Sequence, residues 1–194
     1  MDWRITVFKI KGASPFLMNN PALTLVDEKE SKIIKGGKKK YVDEEEAEIR
    51  TYRTEDGNLY IPSSHFIGSL IKAGTGDKVN KRALNTLIAA TVRPSEEEIP
   101  LLDKKDNPIT KYKIDKRRVV VQNAGILRCR PMITDWNCLL ALDIDHEIMA
   151  EQVVLDTLKK AGSVVGVGDF RPAKKGWFGR FEAELYTGNK KGKK

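Results

Sequence analysis

The chain has 194 residues, 40% hydrophobic and 32% charged, with a net charge of +8. Its length supports one sizeable core, or one core with large insertions, and its composition is that of a globular protein. No run approaches the ~18 consecutive apolar residues of a membrane span, and the N-terminus lacks a secretory signal pattern, so no membrane partner is expected.

Residues 3–12, "WRITVFKIKG", alternate, with Trp3, Ile5 and Val7 on one side and Arg4, Thr6 and Phe8 on the other. That spacing predicts a strand. Residues 13–57 lose periodicity and contain "KGGKKK", with Lys38, Lys39 and Lys40. A long loop or flexible hairpin is expected there, and a stretch of that length is usually functional. Residues 57–74 read as a short extended segment turning into a helix. Ser63 or Ser64 is placed to cap it, with Phe66, Ile67, Leu70 and Ile71 on its apolar face and Gly74 ending it.

A second helical piece is expected at 82–91, followed by an irregular, proline-containing stretch over 93–115. Strands are expected at 117–122, 125–130 and 137–144. Asp145 then caps a helix through Gly162, with acids in its first turn and Lys159 and Lys160 in its last. Residues 180–187 close the chain as a strand with Phe181, Ala183 and Leu185 inward.

Charge is unevenly placed. Residues 111–130 hold seven basic residues and one acid, whereas acids gather at 42–48 and 95–98. A basic face opposite acidic ones suits a polyanion. Four of the lysines lie in the tail "GNKKGKK", and residues 188–194 are read as a disordered basic tail. Cys129 and Cys138 have no metal-ligand spacing with each other or with His65 and His146, so no metal is expected. They read as reduced, buried thiols of a cytoplasmic protein. No cofactor is implied, since the Gly-Lys-Ser/Thr of a nucleotide-hydrolysing loop is absent.

The expected order, strand–helix–strand–strand–helix–strand, predicts an α+β fold: a ferredoxin-like βαββαβ core, the chassis of the RNA recognition motif, with long insertions. Between the last helix and the last strand lies "VGVGDFRPAKKGWFGRF" (165–181). In sequence and position it resembles the glycine-rich loop of the RAMP superfamily. "YIPSSHFIGSLIKAG" (60–74) is similar to the segment leading into the first helix of those proteins, with Ser63 where a glycine is usual. The pattern is also similar to small RAMP-like proteins of bacteriophages and prophages. The superfamily includes backbone subunits that coat guide RNA in CRISPR effector complexes, and RNA-processing endoribonucleases. The resemblance therefore implies one RAMP-like domain over 1–187, with insertions at about 13–57 and 75–115. It implies binding of single-stranded nucleic acid, RNA ahead of DNA although both offer the phosphates and bases concerned, and a homo-oligomer on that strand or a subunit of a larger complex.

The candidate contacts follow from residue type. Gly166, Gly168, Gly176 and Gly179 let a backbone approach phosphates, and Arg171, Lys174, Lys175 and Arg180 neutralise them. The bland reading is a tight connection in which those glycines serve turns. Trp177 is the aromatic expected to be exposed for base stacking. Arg117, Arg118, Arg128 and Arg130 flank apolar runs on strands, and Arg128 and Arg130, two apart, share a face. Their alternative is ion pairing with nearby acids. Ser63, Ser64 and His65 sit at a helix N-terminus, where free N–H groups favour anions. No catalytic residue is assigned in the leading reading. The alternatives are a metal-independent endoribonuclease using His65, as the resemblance implies, and a structural subunit whose basic face binds a protein.

Overall fold

The computed structural model describes residues 1–21, 43–121 and 124–188. The chain is α+β, with antiparallel sheets. Its long strands are β1 (Trp3–Gly12), β8 (Lys113–Val121), β9 (Ala124–Ile133) and β10 (Asn137–Asp145), with β11 (Phe181–Leu185) last. Shorter strands are β2 (Phe16–Leu17), β3 (Tyr60–Pro62), β4 (Lys78–Val79), β5 (Arg82–Ala83), β6 (Val92–Pro94) and β7 (Glu98–Pro100). The helices are α1 (Asp43–Ile49), α2 (Ser63–Ala73), α3 (Leu84–Thr91) and α4 (Glu151–Val164).

The main sheet runs β11-β1-β10-β6. In β1 the core side is Thr6, Phe8 and Ile10, while Ile5 on the other side is 66% exposed. Phe8 and Ile10 face Leu140 and Cys138 of β10 across the register, and both pairs are buried. Burying each such side chain contributes about 1.5–3 kcal/mol. Helix α4 lies against β11 so closely that a Cβ at Gly162 would fall 1.9 Å from the Phe181 carbonyl oxygen. Helix α2 sends Phe66 to meet the Phe181 ring edge-on at 5.6 Å. One apolar cluster thus joins the sheet to α2, α3 and α4.

A second sheet, β2-β9-β8, stands apart from the first. Strands β8 and β9 cover the strands expected at 117–122 and 125–130, and they pair with each other as a hairpin outside the main sheet. On its side away from β1, β10 pairs with β6, which runs into the stretch expected to be irregular. Pro94 ends β6 and Pro100 ends β7, because proline has no N–H to extend a ladder. The stretch expected as loop over 13–57 also contains β2 and α1. In α1 four acids, Asp43 to Glu46, occupy the first turn, where the helix dipole favours negative charge.

Two caps differ from expectation. Helix α2 already includes Ser63, and no side chain hydrogen-bonds its N-terminus. Helix α4 begins only at Glu151; Asp145 ends β10, and its carboxylate accepts from the N–H groups of Asp2 and Glu147, both at 3.2 Å. Cys129 and Cys138 are buried free thiols, and burial pushes Cys129 up to about 11. Among the described residues no helix is long and apolar enough to cross a membrane.

Candidate nucleic-acid interface

The glycine-rich loop leaves α4 at Val165 and folds onto the segment joining β1 to β2. Asp169 N–H donates to the Leu17 carbonyl at 3.0 Å, and Gly179 N–H to that of Pro15 at 2.8 Å. Gly168 has φ +75°, and a Cβ there would lie 2.4 Å from the Phe16 ring. Gly179 has φ +65°, and its Cβ would lie 1.8 Å from the Val167 carbonyl oxygen. No side chain fits either position, and the positive φ disfavours any residue but glycine. The N–H groups of Gly166 and Gly176 also donate inward, to Ala161 and Arg171. The expected phosphate cradle of glycine amides is therefore not what these three N–H groups form. Gly166, Gly176 and Gly179 close the loop on the protein itself.

What the loop presents outward is its side chains. A 3-10 turn, Pro172–Lys174, is followed by Lys175 in the left-handed region at φ +62°, and both Lys174 and Lys175 are exposed. Trp177 is 52% exposed, whereas Phe178 beside it is buried. Their rings stack at 5.2 Å and 27°, and Phe170 meets Trp177 edge-on at 5.1 Å. Arg117 of β8 lies over both, 5.0 Å from the Trp177 centroid and 4.8 Å from that of Phe178. The cation attracts the negative ring faces.

The arginines of the hairpin divide by strand alternation. Arg117 stands opposite Arg128, and Asp115 opposite Arg130, on one face. Arg118, opposite Leu127, falls on the other face, which Lys116 shares with Asp43 of α1. It is exposed there, away from Trp177. Arg130, expected at the ligand surface, is 3% exposed and ion-paired on both sides, to Asp115 at 2.9 Å and Asp169 at 2.8 Å. Its charge is used to fasten the hairpin to the glycine-rich loop. Arg128 is partly exposed and, among the described residues, has no ion-pair partner. Arg171 donates to the Gly168 carbonyl at 2.7 Å, and Arg180 to that of Ser163 at the C-terminal end of α4. These two guanidiniums partly serve the fold. Lys38, Lys39 and Lys40 lie outside the described residues.

Ser63 is buried and Ser64 exposed on an open cleft of about 430 Å³. Glu97 and Glu98 also line it, which disfavours an anion. His65 is mostly buried, edge-on to Tyr52 at 5.6 Å, and its Nδ1 has no hydrogen-bond partner. Burial, helped by the positive charge of Arg171, holds its pKa down at about 4. The imidazole is neutral at pH 7.

The residues that sequence reasoning missed are Asp115, Asp169 and Phe170. Asp115 had a signal: it is the lone acid among seven basic residues.

No family model matches the chain, and no curated protein matches it. Among solved structures it is similar to Cmr6 from Pyrococcus furiosus, at 12% identity and a TM-score of 0.45. That alignment covers 96% of this chain and 100% of the other.

Proposed function

We propose that the chain is a non-enzymatic, RAMP-type protein that binds single-stranded nucleic acid, RNA in preference to DNA. The observation carrying this reading is the half-exposed Trp177, covered in part by Arg117 and flanked by the exposed Lys174 and Lys175. An aromatic platform with cations beside it binds a single strand by stacking bases and neutralising phosphates, without reading sequence. The main sheet adds support: its strands in chain order, β1, β6, β10 and β11, lie in the spatial order fourth, first, third, second. That is the order of a ferredoxin-like core. His65 favours binding over catalysis, because a general base works best with a pKa near the operating pH.

In this reading the protomers line up head to tail along one strand, a heterologous contact that extends rather than closes. Sedimentation of complexes with oligonucleotides of increasing length checks it; a fixed nucleotide count per protomer is expected.

The direct test is fluorescence anisotropy with single-stranded RNA, single-stranded DNA and duplex across a salt series. Stacking contributes about 1–3 kcal/mol per base. Trp177→Ala should therefore weaken single-strand binding about 5- to 150-fold while the protein stays folded. Equal affinity of variant and wild type would remove Trp177 from the interface.

A further inference from the structure

We infer that Arg117 and Arg128 form a seat for one phosphate of the bound strand, next to the base stacked on Trp177. The inference rests on the proposed single-strand binding and assigns it a specific contact.

The two arginines stand directly opposite each other on neighbouring antiparallel strands. Side chains so placed start from Cβ atoms about 4.5–5.5 Å apart, and like charges there repel. Nearby carboxylates offset this only in part. The face carries three arginines, Arg117, Arg128 and Arg130, and the ion pairs there involve two carboxylates, Asp115 and Asp169. Asp115 divides its oxygens between Arg117 Nε at 2.6 Å and Arg130 at 2.9 Å, and Asp169 pairs with Arg130. Arg128 is left over. The Nε atom of Arg130, buried on the same face, also has no hydrogen-bond partner. A fold that needed only stability would place a carboxylate or an apolar side chain opposite Arg117. A phosphate between the two guanidiniums removes the repulsion and takes up fork-shaped donors that match its geometry.

Position completes the argument. Asp115 fixes Arg117 from one side while the Trp177 and Phe178 rings hold its guanidinium from the other. Arg117 thus belongs both to the phosphate seat and to the base platform, which places the two side by side. The ligand unit is a nucleoside phosphate within a chain.

The test replaces Arg128 with Met, which keeps the length of the stem and removes the charge. Without ligand, Arg128→Met should melt about 1–3 °C higher than wild type, because repulsion is relieved. On single-stranded RNA it should bind more weakly, and its log–log salt slope should be shallower by about 0.7, one phosphate contact. Inorganic phosphate should raise the melting temperature of wild type more than that of the variant. A variant that binds with an unchanged slope, or melts at or below wild type, overturns the seat. If wild type binds no strand but phosphate still stabilises it selectively, the seat stands and the single-strand function falls. If phosphate has no selective effect either, both fall.

Discussion

Arg130 on β9 holds Asp169 of the glycine-rich loop at 2.8 Å, joining two segments 39 residues apart. With Asp115 on its other side, the guanidinium is almost wholly out of water. Removing Arg130 leaves the buried Asp115 with Arg117 as its remaining ion-pair partner and the partly exposed Asp169 without one, at up to about 3 kcal/mol, the low end for breaking a buried pair. Arg130→Met should lower the unfolding free energy, measured by urea denaturation, by that amount, and it should also loosen the seating of Trp177. A stable variant with unchanged Trp177 fluorescence would mean the loop is held by its backbone bonds alone.

This contact also marks what the sequence could and could not reveal. Strands β1 and β11 were legible because each alternates along its own length, with Phe8 and Ile10, or Phe181 and Ala183, on the buried side. Strand β6 was not. It has three residues, and Pro94 takes its place by pairing with Leu142 of β10 rather than by any local pattern. The arginines were legible as a basic group, but not their fates, since Asp169 meets Arg130 only through the tertiary fold. Glycines were legible as close approaches. What they approach, the Phe16 ring and the Val167 carbonyl rather than a ligand, depends on distant packing.

Gly179 tests that account. At φ +65° an L-residue costs about 1–2 kcal/mol, and a Cβ 1.8 Å from the Val167 carbonyl oxygen adds a clash. Gly179→Ala should destabilise the protein by at least about 2 kcal/mol in chemical denaturation. Gly57→Ala is the control: it has a positive φ of +83° with nothing within 4 Å, so only the backbone cost should appear.

His65 should make stability fall in acid. Its folded pKa of about 4 lies below the ordinary 6.5, so the unfolded chain takes up a proton that the native state refuses. The stability is fully present above pH 6.5 and is lost as pH falls towards 4, on the order of 2–3 kcal/mol in all. His65→Asn should flatten that part of the profile. The check is the difference between wild-type and variant urea midpoints at pH 7, 5.5 and 4, which cancels the common titration of the carboxylates. A difference independent of pH would mean that the native imidazole protonates freely.

Lys174 and Lys175 separate electrostatic contact from structural support. Both are exposed, and neither has an ion-pair partner among the described residues, so their charges are free to meet phosphates. Their double replacement by alanine should leave the melting temperature within a degree or so of wild type, since exposed substitutions cost little. Binding to single-stranded RNA should weaken, and the log–log salt slope should fall by about 1.4, two contacts at about 0.7 each. Arg180→Ala should behave differently, because its guanidinium donates to the Ser163 carbonyl at the end of α4. It should lower stability more than it lowers the slope. The salt series, run on both variants with melting curves alongside, assigns each residue to ligand or fold. An unchanged slope in the folded lysine double variant would take this edge of the loop out of the strand's path.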